Sequence, residues 1–312
     1  MSTYRYDIGY GKHQIPVYRV HARPLDGIAA IPESAFCGRT NTIFAMLVDV
    51  EVLGEHFLPA YTQGDNRMVV ATDSMKNFVL RQALAYDGAT HEGFLAFLGR
   101  GFLETYPEMR TVRLSSRELP FAAAPVPADS GGFAPSTVLF DRGHSDAATA
   151  MLEMTTGGSG PLITDHRAGR VDMQLLKTTG SSFTSFVRDG YTTLPDRRDR
   201  PLFIYLDVHW RYASVDDAIG DDHRAYVPAE QVRDLVRTVF HRFVSESIQH
   251  LVHEIGMRLL ARFPQLAEVS FDAQNRTKDP FFESETDPSV KVYSDPFPAY
   301  GGITLTIRRG AE

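Results

Sequence analysis

Hydrophobic and polar residues follow two different periods along the chain, and the two periods recur in the same order. Short runs rich in branched and aromatic residues, bounded by turn-forming residues, predict strands. Apolar residues spaced three and four apart predict amphipathic helices. The predicted strands are 15–21, 42–52, 111–121, 136–140, 148–155, 171–178, 202–212, 269–273 and 303–307. Helical periods fall between the strands in each half of the chain.

The predicted helices come in two pairs. In the first half, Asp73 and Ser74 offer side-chain oxygens that cap the start of one helix, and a second helix covers 90–106. In the second half, apolar residues keep a helical period over 229–263, interrupted by the polar residues 245–247. This interruption predicts two helices rather than one.

The repeated order indicates a duplicated α+β unit, in which an antiparallel sheet carries paired helices on one face. We expect a first unit over 1–145 and a second over 146–312. Between two predicted strands, the segment AAAPVPADSGGFAP (122–135) is rich in Pro, Gly and Ala, and we expect it to form a long hairpin loop without regular structure.

Composition narrows the class of protein. The chain has 312 residues and a formal net charge of −7, which argues against a broad nucleic-acid surface because phosphate binding needs a basic face. No stretch approaches the roughly 20 apolar residues that a membrane span needs, and the first residues lack the apolar segment of a signal peptide. We therefore expect a cytoplasmic protein. The single cysteine, Cys37, is expected to be buried as a small apolar residue.

Four short segments place reactive polar groups beside glycine or at the ends of apolar runs. They are YGK (10–12) directly before a predicted strand, VVATDSMKN (69–77) at a helix start, KTTGSSFTSFVRDGYTTLPDRRDR (177–200), and NRT (275–277). Arginine's planar fork suits a flat anionic ligand, and phenylalanine offers a face for stacking. A surface lysine, an ordinary helix cap, a charged loop and a glycosylation acceptor are the alternative interpretations of the four segments.

A metal site is a further alternative. His250, His253 and Glu254 lie three and four apart on a predicted helix, although they lack the established zincin order and an obvious third ligand.

Taken in order, YGK, ATDSMKN, SSFTSFVRDGYTTLPDRRDR, SIQ and QNRT resemble the urate oxidase (uricase) family, from about Tyr10 to about Thr277. This resemblance implies two tandem tunnelling-fold (T-fold) units that assemble into a barrel-like oligomer, typically a homotetramer. It also implies an oxidoreductase of purine metabolism that uses no metal or organic cofactor.

The resemblance assigns roles to residues in both halves. Lys12 and Thr72 match the pair that relays protons from the substrate, and the backbone amide of Asp73 matches a ligand contact. Asn275 matches the asparagine that, together with Thr72, faces the dioxygen site. Thr277 occupies the position at which well-known members carry a relay histidine, and a threonine cannot act as an imidazole acid or base.

The remaining matched residues hold the substrate. Phe183 matches the aromatic residue that stacks on the purine, while Arg200 and Gln249 match the residues that grip its edge by paired hydrogen bonds. Ile248 supplies a backbone contact. The family pocket lies between two subunits, so Lys12 and Thr72 are expected to face the other residues from a neighbouring chain.

The implied reaction oxidises urate with O2 and water to 5-hydroxyisourate and H2O2, and it needs an uncharged Lys12 amine. Two other functions stay open at this point. One is a T-fold enzyme that processes pterins or nucleotides, and the other is a non-catalytic purine-binding protein that lost the relay at Thr277.

Overall fold

The structure, a computed structural model, describes residues 4–158, 160–277, 279–294 and 299–310. Its strands are β1 (Gly9–Val20), β2 (Ile43–Leu53), β3 (Thr111–Glu118), β4 (Ala122–Pro127), β5 (Phe133–Asp141), β6 (Ala147–Gly157), β7 (Gly160–Lys177), β8 (Leu202–Tyr212), β9 (Leu266–Asn275), β10 (Phe282–Glu283), β11 (Lys291–Val292) and β12 (Gly301–Arg308). Its helices are α1 (Leu58–Thr62), α2 (Thr72–Ala85), α3 (His91–Thr105), α4 (Asp216–Ile219), α5 (Ala229–Arg242) and α6 (Ile248–Arg262). The mixed α+β class predicted from the sequence is confirmed.

The chain divides into two compact units. Unit 1 comprises 1–30, 37–168 and 214–226, and unit 2 comprises 31–36, 169–213 and 227–312. Their main boundary lies later than the predicted division after residue 145, because β6 pairs along its length with β3 and so belongs to unit 1. Compact units need not coincide with duplicated ones, and the tandem units 1–145 and 146–312 stay a prediction.

Unit 1 is an antiparallel sheet with helices on one face. Strands β1, β2, β3 and β6 are consecutive neighbours, and α2 and α3 pack against them. The side chains of β2 alternate, so that Met46, Val48, Val50 and Val52 all point into the core and are fully buried. The helices add a second apolar layer, and each large side chain buried there contributes about 2 kcal/mol.

Unit 2 repeats this arrangement. Strands β8, β9 and β12 are antiparallel neighbours, and α6 packs on β9 and β12 while α5 packs against α6. The two helices meet where the sequence predicts the interruption, and the Ser247 hydroxyl accepts a hydrogen bond from an N–H of the first turn of α6. Within the described residues, no helix is both long and apolar enough to span a membrane.

The segment 122–135 is not an irregular loop, as its composition suggested. Strands β4 and β5 pair antiparallel across it, with a register shift between Ala123 and Pro125. Proline lacks an N–H but is tolerated in a two-stranded ribbon, where its nitrogen can face away from the partner strand. Pairing between the two strands therefore outweighs the weak strand propensity of this composition.

Two further local predictions are wrong. Neither Asp73 nor Ser74 caps α2: the helix begins at Thr72, and its N-cap residue Ala71 makes no side-chain hydrogen bond. Cys37 is exposed rather than buried, because it follows an irregular segment and precedes Gly38, outside every strand and helix.

A buried histidine makes unit 1 sensitive to acid. His91, at the start of α3, packs edge-on to Phe44 and lies 3.4 Å from the Ser116 hydroxyl. Burial lowers its pKa to about 4, and the positive charge of Arg39 adds to this lowering while the negative charge of Glu118 opposes it. The folded state therefore holds His91 neutral at pH values where the unfolded chain takes up a proton.

This difference predicts a loss of stability with falling pH. The folded pKa lies below the ordinary value of 6.5, so the stabilisation is complete above pH 6.5 and is lost as the pH falls towards 4. At pH 5 the loss amounts to about 2 kcal/mol. Thermal unfolding at pH 7 and pH 5 should show a smaller drop for H91Q than for the parent chain. H253Q, at an exposed position of α6, serves as the control, and equal drops in all three proteins would contradict this role for His91.

Candidate active site

The YGK motif lies inside β1 rather than before it. Tyr10 and Lys12 are two residues apart on this strand, so both side chains project from the same face. They pair with Val52 and Val50, which are fully buried, and this face is therefore the one that the helices cover. Between them, a Cβ atom on Gly11 would lie 1.9 Å from the Val50 carbonyl oxygen, so only glycine permits β2 to approach this closely.

A bulge directly after Lys12 explains why the sequence period is interrupted there. The register with β2 shifts between Lys12 and Ile15, where Gln14 has a φ of 57° and donates its N–H to the Asp49 carboxylate at 2.6 Å. The extra residue returns Ile15 to the face that carries Lys12. Lys12 thus lies on the core side of the sheet but remains only partly buried.

Thr72 and Asp73 are the first two residues of α2, which packs on β1, and Asp73 lies within electrostatic range of Lys12. The Asp73 carboxylate accepts hydrogen bonds from Lys76 at 2.6 Å and Asn77 at 2.9 Å. The Lys76 hydrogen bond is the main reason that the pKa of Asp73 is lowered, and Lys12 adds to this lowering when it is protonated. The side chain of Asp73 is thus engaged along the helix, whereas the first N–H groups of a helix have no partner within it and can face an anionic ligand.

In unit 2, Phe183 and Arg200 are held together by the backbone of their loop. Phe183 exchanges two backbone hydrogen bonds with Arg197, at 2.7 and 3.0 Å, and the Arg200 N–H donates to the Ser181 carbonyl at 2.8 Å. The Arg200 guanidinium carbon lies 5.3 Å from the centre of the Phe183 ring. Phe186 stacks on Phe183 with the ring centres 4.9 Å apart. The planar cation of Arg200 therefore lies over the ring of Phe183, and Phe186 stacks on the same ring.

Backbone contacts also tie this loop to the residues before α6. The Ser182 N–H donates to the Ser245 carbonyl at 2.8 Å, and Ser181 and Ser245 form a parallel bridge. Two residues later Ser247 caps α6, so that Ile248 and Gln249 are its first residues. Ile248 is buried whereas Gln249 is exposed. The predicted gripping residues from two distant segments thus belong to one end of unit 2.

One nitrogen of the Arg200 guanidinium has no partner in the part of the chain that the structure describes. This nitrogen is Nε, and it is buried. Burial lowers the pKa of Arg200, with a smaller lowering from the charge of Arg197 and an opposing effect from Asp279. Arginine nevertheless stays charged at neutral pH, and a buried unsatisfied N–H normally has a ligand or water as its acceptor.

Asn275 and Thr277 are fixed to β8 by a compact set of hydrogen bonds. The Thr277 N–H donates to Asn275 Oδ1 at 3.0 Å, which turns the amide NH2 group of Asn275 to the other side. The Thr277 hydroxyl accepts from the Phe203 N–H at 2.9 Å and lies 3.3 Å from the Phe203 carbonyl. The hydroxyl of Thr277 is therefore occupied by the backbone of β8.

A cavity of about 770 Å3 opens beside these residues in unit 2. Among the residues that the structure describes, its lining includes Arg200 and Thr277 but not Phe183, Gln249 or Asn275. The cavity thus reaches the cationic group of the candidate site from one side.

The structure brings the predicted site residues together in two groups. Unit 1 carries Lys12, Thr72 and Asp73 on neighbouring parts of β1 and α2, and the other predicted residues all belong to unit 2. Within the ranges described, no group of three or more His, Cys, Asp or Glu side chains is arranged to hold a metal ion.

Sequence reasoning missed two residues that hold these groups in place. The Tyr10 hydroxyl accepts a hydrogen bond from the Val70 N–H at 2.9 Å, and its two-residue spacing from Lys12 was the available signal. The Arg276 guanidinium lies 4.9 Å from the ring centre of Tyr205 and 4.0 Å from that of Tyr300. No local pattern pointed to this second arrangement, since the two rings come from segments far apart in the sequence.

Comparisons with known proteins identify the family of the chain. The profile of the uricase family matches residues 51–155 and 166–296. A uricase from Haloferax volcanii is 49% identical over 86% of this chain and 88% of its own length, and one from Halalkalicoccus jeotgali is 47% identical over 93% and 94%. A crystal structure of urate oxidase from Bacillus sp. TB-90 superposes with a TM-score of 0.93 at 41% identity, covering 97% of this chain and 100% of that one. The chain belongs to the uricase family.

Proposed function

We propose that this chain is a urate oxidase of purine degradation, which oxidises urate with O2 and water to 5-hydroxyisourate and H2O2. The observation that carries the proposal is the half-buried Arg200 fork over the ring of Phe183, with one guanidinium N–H that has no acceptor among the described residues. Urate is a flat anion, so a stacking face and a planar cation match both of its properties.

Three residues of unit 2 hold the ring. Arg200 donates to its edge, Gln249 both donates to and accepts from that edge, and Phe183 fixes its plane. The backbone beside Ile248, at the first turn of α6, gives a further polar contact. Support for this placement comes from the backbone bonds that join the Phe183 loop to the residues before α6.

Lys12 and Thr72 handle the proton. An uncharged Lys12 amine accepts a proton from urate through the Thr72 hydroxyl, which leaves a ring rich enough in electrons to reduce O2. Two electrons pass from urate to O2, which leaves as H2O2 after protonation, and water supplies the new hydroxyl group at C5. The NH2 group of Asn275 donates to the oxygen species above the ring, and the Asp73 N–H faces the ligand. In this scheme the chain supplies binding and proton transfer, without a metal or an organic cofactor.

Thr277 takes a positioning role in this proposal rather than extending the relay. Its hydroxyl is bonded to the backbone of Phe203, and its N–H fixes the Asn275 amide. The residue therefore orients the asparagine that faces O2, and Lys12 with Thr72 form the whole relay within the chain.

We further propose that the active enzyme is a homo-oligomer, most simply a tetramer of the T-fold type, in the cytoplasm. Each pocket then combines Lys12, Thr72 and Asp73 of one copy with the unit 2 residues of another. Support comes from the family position of the chain and from the two separate groups of residues described above.

Purified protein mixed with urate in air tests the function. We expect loss of urate absorbance together with uptake of one O2 and release of one H2O2 per urate, and the same rate when a chelator is present. Tight binding of a xanthine-type analogue without O2 uptake would contradict the proposal and favour a non-catalytic purine-binding protein. Activity abolished by the chelator would contradict the cofactor-free scheme.

A further inference from the structure

One hydrogen bond joins the strand that carries Lys12 to the segment that carries Thr72. The Tyr10 hydroxyl oxygen accepts from the Val70 N–H at 2.9 Å. Tyr10 lies two residues before Lys12 on β1, and Val70 lies two residues before Thr72. The bond is therefore placed at equal sequence distance from both members of the proposed relay.

The Tyr10 ring is itself held firmly. It packs edge-on against Phe57 with ring centres 4.9 Å apart, and Phe57 is only 1% exposed. The position of the Tyr10 oxygen is thus fixed by packing rather than by its hydrogen bond alone.

Val69 and Val70 pack against the core of unit 1, but the segment before Thr72 has few other hydrogen bonds that fix its backbone. Residues 69–71 belong to no strand or helix, and the N-cap residue Ala71 makes no side-chain hydrogen bond. The Val69 N–H is bonded to the nearby Asn66 carbonyl, which is a local turn and not a link to the sheet. Among the described residues, the Val70 N–H is the backbone donor that connects this segment to β1.

The Tyr10 phenol is suited to a fixed, neutral role. Burial raises its pKa, and the Val70 hydrogen bond opposes this rise only in part. The hydroxyl therefore stays protonated at neutral pH and adds no charge next to Lys12.

We infer that Tyr10 is a positioning residue that holds the Thr72 hydroxyl in line with the Lys12 amine for proton transfer. The inference rests on the proposed function, because it requires Lys12 and Thr72 to act as a relay. Tyr10 itself lies on the strand and exchanges no proton with the substrate. Small errors in such alignment are costly, since a displacement of about 1 Å can reduce a rate about 100-fold.

Y10F tests this inference because it removes the acceptor oxygen and keeps the ring on Phe57. We expect kcat with urate to fall about 10- to 100-fold, while the Kd of an unreactive xanthine-type analogue changes by less than about 2-fold. Y61F is the matched control: it deletes the same atom from the neighbouring ring, but its hydrogen bond goes to Gly9 and not to the Thr72 segment. Its kcat is expected to stay within about 2-fold of the parent value.

A double variant separates positioning from general stability. If Tyr10 acts through Thr72, adding Y10F to T72A should slow the enzyme no further, whereas a purely structural effect would add to that of T72A. Full kcat in Y10F, with T72A slow, overturns the role of Tyr10 alone. Full kcat in T72A instead overturns the proposed relay, so the two failures are distinguishable.

Discussion

Replacing Lys12 by methionine should lower kcat with urate about 100- to 10,000-fold, the usual contribution of a general base. Methionine keeps most of the length and the apolar stem of lysine, so the packing of β1 against α2 should survive. In the proposed site Arg200, Gln249 and Phe183, not Lys12, hold the ligand, and we therefore expect the Kd of a xanthine-type analogue to stay within about 3-fold. Stopped-flow absorbance with urate and a separate analogue titration measure the two quantities.

The K12R variant is a control that separates the charge of Lys12 from its ability to accept a proton. Arginine keeps the positive charge but stays protonated at every accessible pH, so it cannot accept the proton. We expect K12R to be as slow as K12M. Recovery of activity in K12R would show that Lys12 contributes only charge, and unchanged turnover in K12M would remove it from the mechanism.

Replacing Arg200 by alanine should weaken analogue binding on the order of 100-fold or more, since hydrogen bonds to charged groups are worth about 1.5–3 kcal/mol each and two are lost. The loss also removes the cation beside the Phe183 ring. Calorimetric titration of a xanthine-type analogue measures the affinity directly, without interference from turnover.

Two further variants serve as controls for the effect of R200A on affinity. R200K keeps the charge but not the planar fork, and we expect an affinity between those of the parent chain and R200A. R198A removes the same charge from an exposed position two residues earlier and should bind normally. Equal weakening by R198A and R200A would reduce the effect to general electrostatic attraction and contradict a specific grip.

The fold was largely predictable where one period dominates a long segment. The sequence of strand β8 alternates in part, its side chains alternate between buried and partly buried along the whole strand, and the predicted bounds, 202–212, agree with those observed. Helices α5 and α6 could be separated because Ser245 to Ser247 interrupt the apolar period and Ser247 is a strong cap. In both cases local pattern and tertiary burial favour the same structure.

Predictions failed where contacts between residues, and not the local hydrophobic period, decide the structure. The hairpin of β4 and β5 forms despite its prolines, because each strand supplies the other with a partner. The bulge after Lys12 reverses the alternation of β1, and so the strand appeared to begin only at Ile15. Asp73 had the chemistry of a cap, but Lys76 and Asn77 draw its carboxylate along the helix.

The sequence names candidate residues for the site, which stay a prediction, but it does not give their geometry. The ordered motifs indicated Lys12, Thr72 and Arg200, while the free Arg200 N–H and the Tyr10 link to Val70 required coordinates. The sequence also showed that Thr277 is not a histidine, yet only the structure shows its hydroxyl engaged by Phe203.

Mixing the two inactive variants K12M and R200A within one oligomer tests the central claim, that residues of two copies act on one urate. Neither chain has a complete set, but a pocket that takes unit 1 from R200A and unit 2 from K12M is intact. Random co-assembly should therefore restore about a quarter of the parent turnover, because one pairing in about four is intact in a symmetric assembly. Hybrids no more active than the separate variants would contradict the claim and place all the residues of each pocket in a single chain.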